Sequence, residues 1–181
     1  MKDLLSIVSH FQLQGTVQEI NPLGAGLIND TYKVSTLEAD APDYVLQRIN
    51  HAIFQNVEML QANINAVTTH IRKKLEEKGE KDIERKVLHF FPADTGKTYW
   101  HDGESYWRVM AFIPNARTYE TVNPEYSYYA GVAFGNFQAM LADIPDELGE
   151  TIPDFHNMEF RLKQLRDAVA ADAVGRVKEV Q

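Results

Sequence analysis

Apolar positions along the chain change their period several times, and each change marks an element. In the opening segment Leu4, Val8 and Phe11 recur at helical spacing, which predicts an amphipathic first helix. Two alternating stretches follow, "GTVQEINPL" and "LINDTYKVST", in which Val17, Tyr32 and Val34 supply the β-branched and aromatic content of strands. Beyond the turn-like "EADAPD" comes "YVLQRIN", a short and strongly apolar third strand. Asn56 is the expected N-cap of a long helix whose buried stripe runs through Val57, Leu60, Ile64, Val67, Ile71 and Leu75. Lys73, Lys74 and Lys78 near its end, with Gly79 beyond them, mark its stop. "RKVLHFFPA" predicts another strand, and "TYWHDGESYWRVMAFIP" a hairpin that turns at Asp102-Gly103.

From Ala116 onward the pattern is helical. Asn123 followed by Pro124 is a strong helix start, with Ala130, Ala133, Phe137, Met140 and Ile144 on one face until Pro145. The segment from His156 predicts a last helix carrying Leu162, Leu165, Val169, Ala173 and Val177. The order implies an α+β fold: a five-stranded antiparallel sheet with one long helix over 1–113, then a helical region over 114–181. The final apolar stripe runs almost to Gln181, and a face of that kind needs a partner surface. The strand lobe, a longer chain or self-association would each supply one.

Composition narrows the function classes. The chain has 181 residues, 44% hydrophobic and 24% charged, as for one ordinary domain or two small lobes. A net charge of −8 argues against a general binder of nucleic acid or anionic membranes and leaves room for a local basic pocket. There is no cysteine, which removes disulfides and thiolate chemistry. No run of 18 apolar residues spans a membrane, and no cleavage site follows the N-terminal apolar residues, so the expected compartment is the cytoplasm. His10, His51, His70, His89 and His156 are dispersed without ligand spacing, and His101-Asp102 sits in a predicted turn; no metal site is expected. Tyr126, Tyr128 and Tyr129 are expected to pack a helix.

The stretch Pro22–Ile28, "PLGAGLI", sets Gly24 and Gly26 between two strands. Asn29 stands where the third glycine of a Gly-x-Gly-x-x-Gly pattern would fall. Spacing alone therefore fits a bare hairpin turn as well as a loop laid over phosphates.

Context adds to this. The succession "GAGLINDTYKV", "YVLQRIN", the long helix, "YWRVMAFIP" and "AGVAFGNFQAML" resembles the first half of an aminoglycoside-phosphotransferase-like kinase. "GLINDTY" and "LQRIN" are most similar to the N-acetylhexosamine 1-kinase branch of that family. The resemblance runs over essentially the whole chain and implies a protein-kinase-like N-lobe followed by the first helices of the C-lobe. It also implies an ATP-dependent kinase of a small molecule such as a sugar, with ATP and Mg2+ as cofactors of the intact enzyme.

The same resemblance assigns residues. Gly24 and Gly26 would bring backbone N–H groups close to a triphosphate, with Asn29 or Thr31 steadying the loop. Val45 would cover the adenine, and Gln47 falls where such kinases carry the lysine that holds the α- and β-phosphates. Glutamine donates hydrogen bonds without neutralising charge, while Arg48 carries the charge and, by strand alternation, lies on the opposite face. Met110 would stand behind the adenine, with the Ala111 C=O and the Ile113 N–H at its edge. Kinases pair the strand lysine with a glutamate on the next helix, for which Glu58, Glu76 and Glu77 are available; the helix dipole alone accounts for Glu58.

No His-x-Asp-x-x-x-x-Asn wording occurs between residues 114 and 181. No catalytic residue is therefore expected in this chain, which reads as the nucleotide-binding part of an enzyme and as inactive alone. The competing class is a non-catalytic, kinase-like binding module. A third is hydrolytic, since relatives of this kind sometimes carry a mucin-desulfatase label. Sulfatase chemistry needs a Cys/Ser-x-Pro-x-Arg setting, and none of Ser6, Ser9, Ser35, Ser105 or Ser127 has it.

Overall fold

The computed structural model describes residues 3–24, 26–119 and 121–179. Ala25 of the glycine stretch, and the last two residues of the predicted final helix, Val180 and Gln181, lie outside the described residues. The chain divides into two compact units, Met1–Gly149 and Glu150–Gln181.

The first unit is built on a mixed α+β plan. Strands β1 (Val17–Pro22), β2 (Asp30–Thr36) and β3 (Tyr44–Ile49) precede the long helix, and β4 (Phe90–Phe91), β5 (Trp100–His101) and β6 (Tyr106–Ala111) follow it. They form one antiparallel sheet in the order β1-β2-β3-β6-β4, with β5 also pairing β6. Among the described residues the sheet has six strands, one more than expected, because the first arm of the Asp102-Gly103 hairpin pairs over just two residues and carries little periodic signal. β4 is equally short: "RKVLHFFPA" breaks at a 3-10 turn, Ile83–Arg85, and pairs at Phe90 and Phe91 alone.

Alternation along β3 and β6 gives the sheet two unlike faces. Tyr44 and Leu46 on β3, Trp107 and Val109 on β6, and Val34 on β2 are fully or nearly fully buried in one cluster with Ile7, Val8, Phe11 and Ala93. The first helix, α1 (Leu4–Val8), covers this face. It is shorter than the apolar spacing predicts. After Val8 the backbone tightens into i→i−3 bonds, His10 N to Ile7 O at 3.2 Å and Phe11 N to Val8 O at 3.0 Å. Phe11 reaches the core from a bridge to Ala93 instead.

The other face meets α2 (Val57–Glu77). Asn56 caps it as expected, its side chain accepting from Met59 N at 2.9 Å. Gly79, at φ +67°, ends it with Glu80 N donating to Leu75 O at 3.0 Å. Its predicted stripe holds at Val57, Ile71 and Leu75, but Leu60, Ile64 and Val67 are half-buried and a polar residue, Gln61, is buried among them.

α3 (Pro124–Leu141) begins at Asn123, whose side chain accepts from Tyr126 N at 2.8 Å. Its C-terminal end docks on α2. Met140 and Leu141 pack on Ile71, Leu75 and Val87, and Lys74 Nζ donates to Met140 O at 2.9 Å. A cation at that end opposes the negative pole of the helix dipole. The expected packing of Tyr126, Tyr128 and Tyr129 is not seen, for all three are exposed. In the second unit, α4 (Met158–Ala171) stops at Asp172, which takes φ +37°. Ala173 and Val177 therefore leave the predicted helical stripe.

Asp43 joins the strands at one edge: its carboxylate pairs with Lys33 at 2.8 Å and accepts from Thr36 N at 3.0 Å. The Lys33 bond, foremost, holds the Asp43 carboxyl below the usual aspartate range. A depressed folded-state pKa contributes stability above the unfolded value, lost as pH falls through the folded one. Asp43→Asn should therefore lower stability at neutral pH and flatten its fall below about pH 4, as read from urea titrations across pH.

Candidate functional site

The glycine turn and the α2-facing side of the sheet are tied into one polar network. Gly24 sits at φ +73° with open space around a would-be Cβ, so it is required by backbone conformation rather than by crowding. Gly26 is the reverse: a Cβ there would stand 3.0 Å from the backbone oxygen of Asn29. Both glycines thus answer to the turn itself, a requirement separate from the close phosphate approach that the family resemblance implies. Asn29 Oδ1 accepts from Asn50 N at 2.9 Å, pinning the turn to the end of β3. Thr31 Oγ1 accepts from Gln47 Nε2 at 2.9 Å, a second tie to β3 on the same side of the turn.

Ladder register then arranges the expected residues in rows. Thr31, Gln47 and Arg108 lie opposite one another across β2, β3 and β6, and Lys33, Val45, Met110 and Phe90 form the next row. Gln47 and Met110 line a cavity of about 590 Å³ between sheet and helices, together with Phe90, Val67 and Phe137. Val45 faces the same side as Gln47, while Arg48 points the other way, its Nε donating to Asp30 Oδ2 at 2.6 Å. Ala111 N donates to His89 O at 2.9 Å, which extends β6 toward the segment that holds Ile113.

Two residues that sequence reasoning passed over sit at the centre. The Arg108 guanidinium donates to Gln47 Oε1 through Nε at 3.0 Å and Nη2 at 2.6 Å, and to Gln61 Oε1 through Nη1 at 3.0 Å. Gln61 Nε2 in turn donates to Thr98 O at 2.7 Å. The Phe90 ring lies 5.5 Å from the guanidinium carbon. Burial pushes the Arg108 group down to about 10, leaving it charged at neutral pH but poorly solvated. An arginine inside the otherwise apolar "YWRVMA", on the face opposite Trp107 and Val109, was the signal available. Glu58 does not face this network; it pairs with Lys97 at 3.0 Å on the surface.

The chain matches the family model described as APH, phosphotransferase enzyme family, over residues 19–180. It belongs to that phosphotransferase family. The chemistry of that family is kinase-type phosphotransfer. Kinases of the family generally use ATP and Mg2+. The site offers a charged guanidinium that is linked through Gln47 and Thr31 to the strand following the glycine turn. Among the described residues no three His, Asp or Glu side chains gather as a cation site. No helix among the described residues is long and apolar enough to cross a membrane.

Gly24 should tolerate substitution according to how well the new residue adopts a positive φ. Gly24→Ala forces a side chain into a left-handed conformation and should cost about 1 kcal/mol. Gly24→Asn should cost less, because Asn tolerates that region. Urea denaturation of both variants would show the order.

Proposed function

We propose that this chain provides the nucleotide-binding lobe of an ATP-dependent small-molecule kinase, with a sugar of the N-acetylhexosamine type as acceptor. In this reading residues 1–113 hold the nucleotide, and 114–181 are the hinge and the start of a helical lobe. The glycine turn at Gly24 and Gly26 faces the phosphates, Val45 and Met110 flank the adenine, and the backbone of Ala111 and Ile113 meets its edge. The observation that carries the reading is the double brace of the turn. Asn29 and Thr31 each bond β3, so the loop is fixed over the sheet before any ligand arrives. A plain hairpin turn needs neither bond.

A second reading, a binding module without phosphoryl transfer, draws on the neutral Gln47, which stands where a kinase is expected to keep a lysine, and on Glu58, which pairs with Lys97 on the surface. No catalytic Asp-x-x-x-x-Asn wording is present within 114–181, and the binding step is accordingly what this chain can be tested for.

ATP at about a hundred times its Kd should stabilise the chain by about 2.7 kcal/mol, raising Tm by roughly 5–10 °C. Differential scanning fluorimetry with ATP, GTP and buffer alone reads this directly. A Tm that no nucleotide moves would remove nucleotide binding from both readings. ATP stabilisation supports the nucleotide-binding step that both readings share, since neither expects phosphate transfer from this chain alone.

A further inference from the structure

We propose that Arg108 is the cation that takes the nucleotide's phosphates in this chain, serving from β6 in place of a lysine at position 47 on β3. The inference rests on the nucleotide-binding reading above and adds the residue that grips the ligand. Register comes first. Arg108 lies directly across the β3–β6 ladder from Gln47, on the same face. Residues so placed have Cβ atoms about 5 Å apart, so the long arginine side chain covers the volume that a lysine at 47 would reach.

Charge accounting comes second. The sheet carries three cations among the described residues. Lys33 has the Asp43 carboxylate and Arg48 has the Asp30 carboxylate. Arg108 has no carboxylate partner among the described residues: its guanidinium donates to two neutral amide oxygens, those of Gln47 and Gln61. Of the five N–H groups of a guanidinium, three are used in this way. The remainder belong to a group that lines the cavity, with Phe90 beneath it. A poorly solvated cation without a counter-ion is costly, and an arriving polyanion relieves that cost.

The identity of the supports comes third. A carboxylate at position 61 would neutralise Arg108 and compete with phosphate. An amide fixes the guanidinium while leaving its charge unspent. Both amides are themselves oriented, Gln47 by Thr31 and Gln61 by Thr98. Through Thr31 the network runs to the glycine turn, so the phosphate-facing backbone and the cation are held by one chain of bonds.

The test compares ATP, adenosine and inorganic tripolyphosphate on the 181-residue chain by isothermal titration calorimetry. Arg108→Gln should weaken ATP and tripolyphosphate by about tenfold or more and leave adenosine unchanged. Adding Gln47→Lys to that variant should restore most of the ATP affinity, since the cation returns to the strand it left. If wild type binds ATP and adenosine but Arg108→Gln leaves their ratio unaltered, the assignment of Arg108 is wrong and nucleotide binding stands. If wild type binds neither, the nucleotide reading fails and takes this inference with it. Should Arg108→Gln unfold by circular dichroism, the wild-type Arg108 Nε–Hε resonance decides, identified by its loss in Arg108→Lys. A shift with ATP but not adenosine supports the assignment, and any other response overturns it.

Discussion

A guanidinium seated between two amides joins the middle of the sheet to its long helix. Arg108 reaches across to Gln47 on the neighbouring strand and up to Gln61 on α2, and each amide is anchored by a threonine. Without these bonds, α2 would face the polar side of β3 and β6 with buried donors and acceptors unmet, which costs more than the bonds themselves contribute. Among the described residues no buried side-chain polar atom lacks a partner. The sheet and helix therefore meet through a satisfied polar layer, while the larger apolar cluster lies on the far side under α1.

That division explains how the site is stiffened. Leu27 in the glycine turn is fully exposed and Ile28 is exposed as well. The position of the turn comes from the Asn29 and Thr31 bonds, which lead into β3, and β3 is held rigid by the buried Tyr44 and Leu46. Order passes from the dry face to the wet one through the backbone of a single strand. The same strand fixes the direction of Gln47, so the polar network inherits its geometry from apolar packing.

The sequence made much of the frame legible. Caps at Asn56 and Asn123 and the alternation of β2, β3 and β6 were readable because each follows from local chemistry that the chain carries within a few residues. The two-residue strands were not, since β4 and β5 exist only because β6 offers them an edge. The same limit hid Gln61 and Arg108. Gln61 sits in a stripe otherwise read from its apolar members, and Arg108 gains meaning only when register sets it opposite Gln47. The arginine within the apolar "YWRVMA" is visible in the sequence, but its partners on β3 and α2 are not.

The period of two in β6 has an evolutionary consequence. Trp107 and Arg108 are neighbours in sequence but answer to different pressures, one filling the core and the other the polar layer. Substitutions at Trp107 and Val109 act on the buried core, and those at Arg108 and Met110 on the polar layer and cavity that face α2. Core and cavity can thus change separately along a strand of six residues. The exception is a shift of register by one, which would carry tryptophan into the polar layer and arginine into the core together.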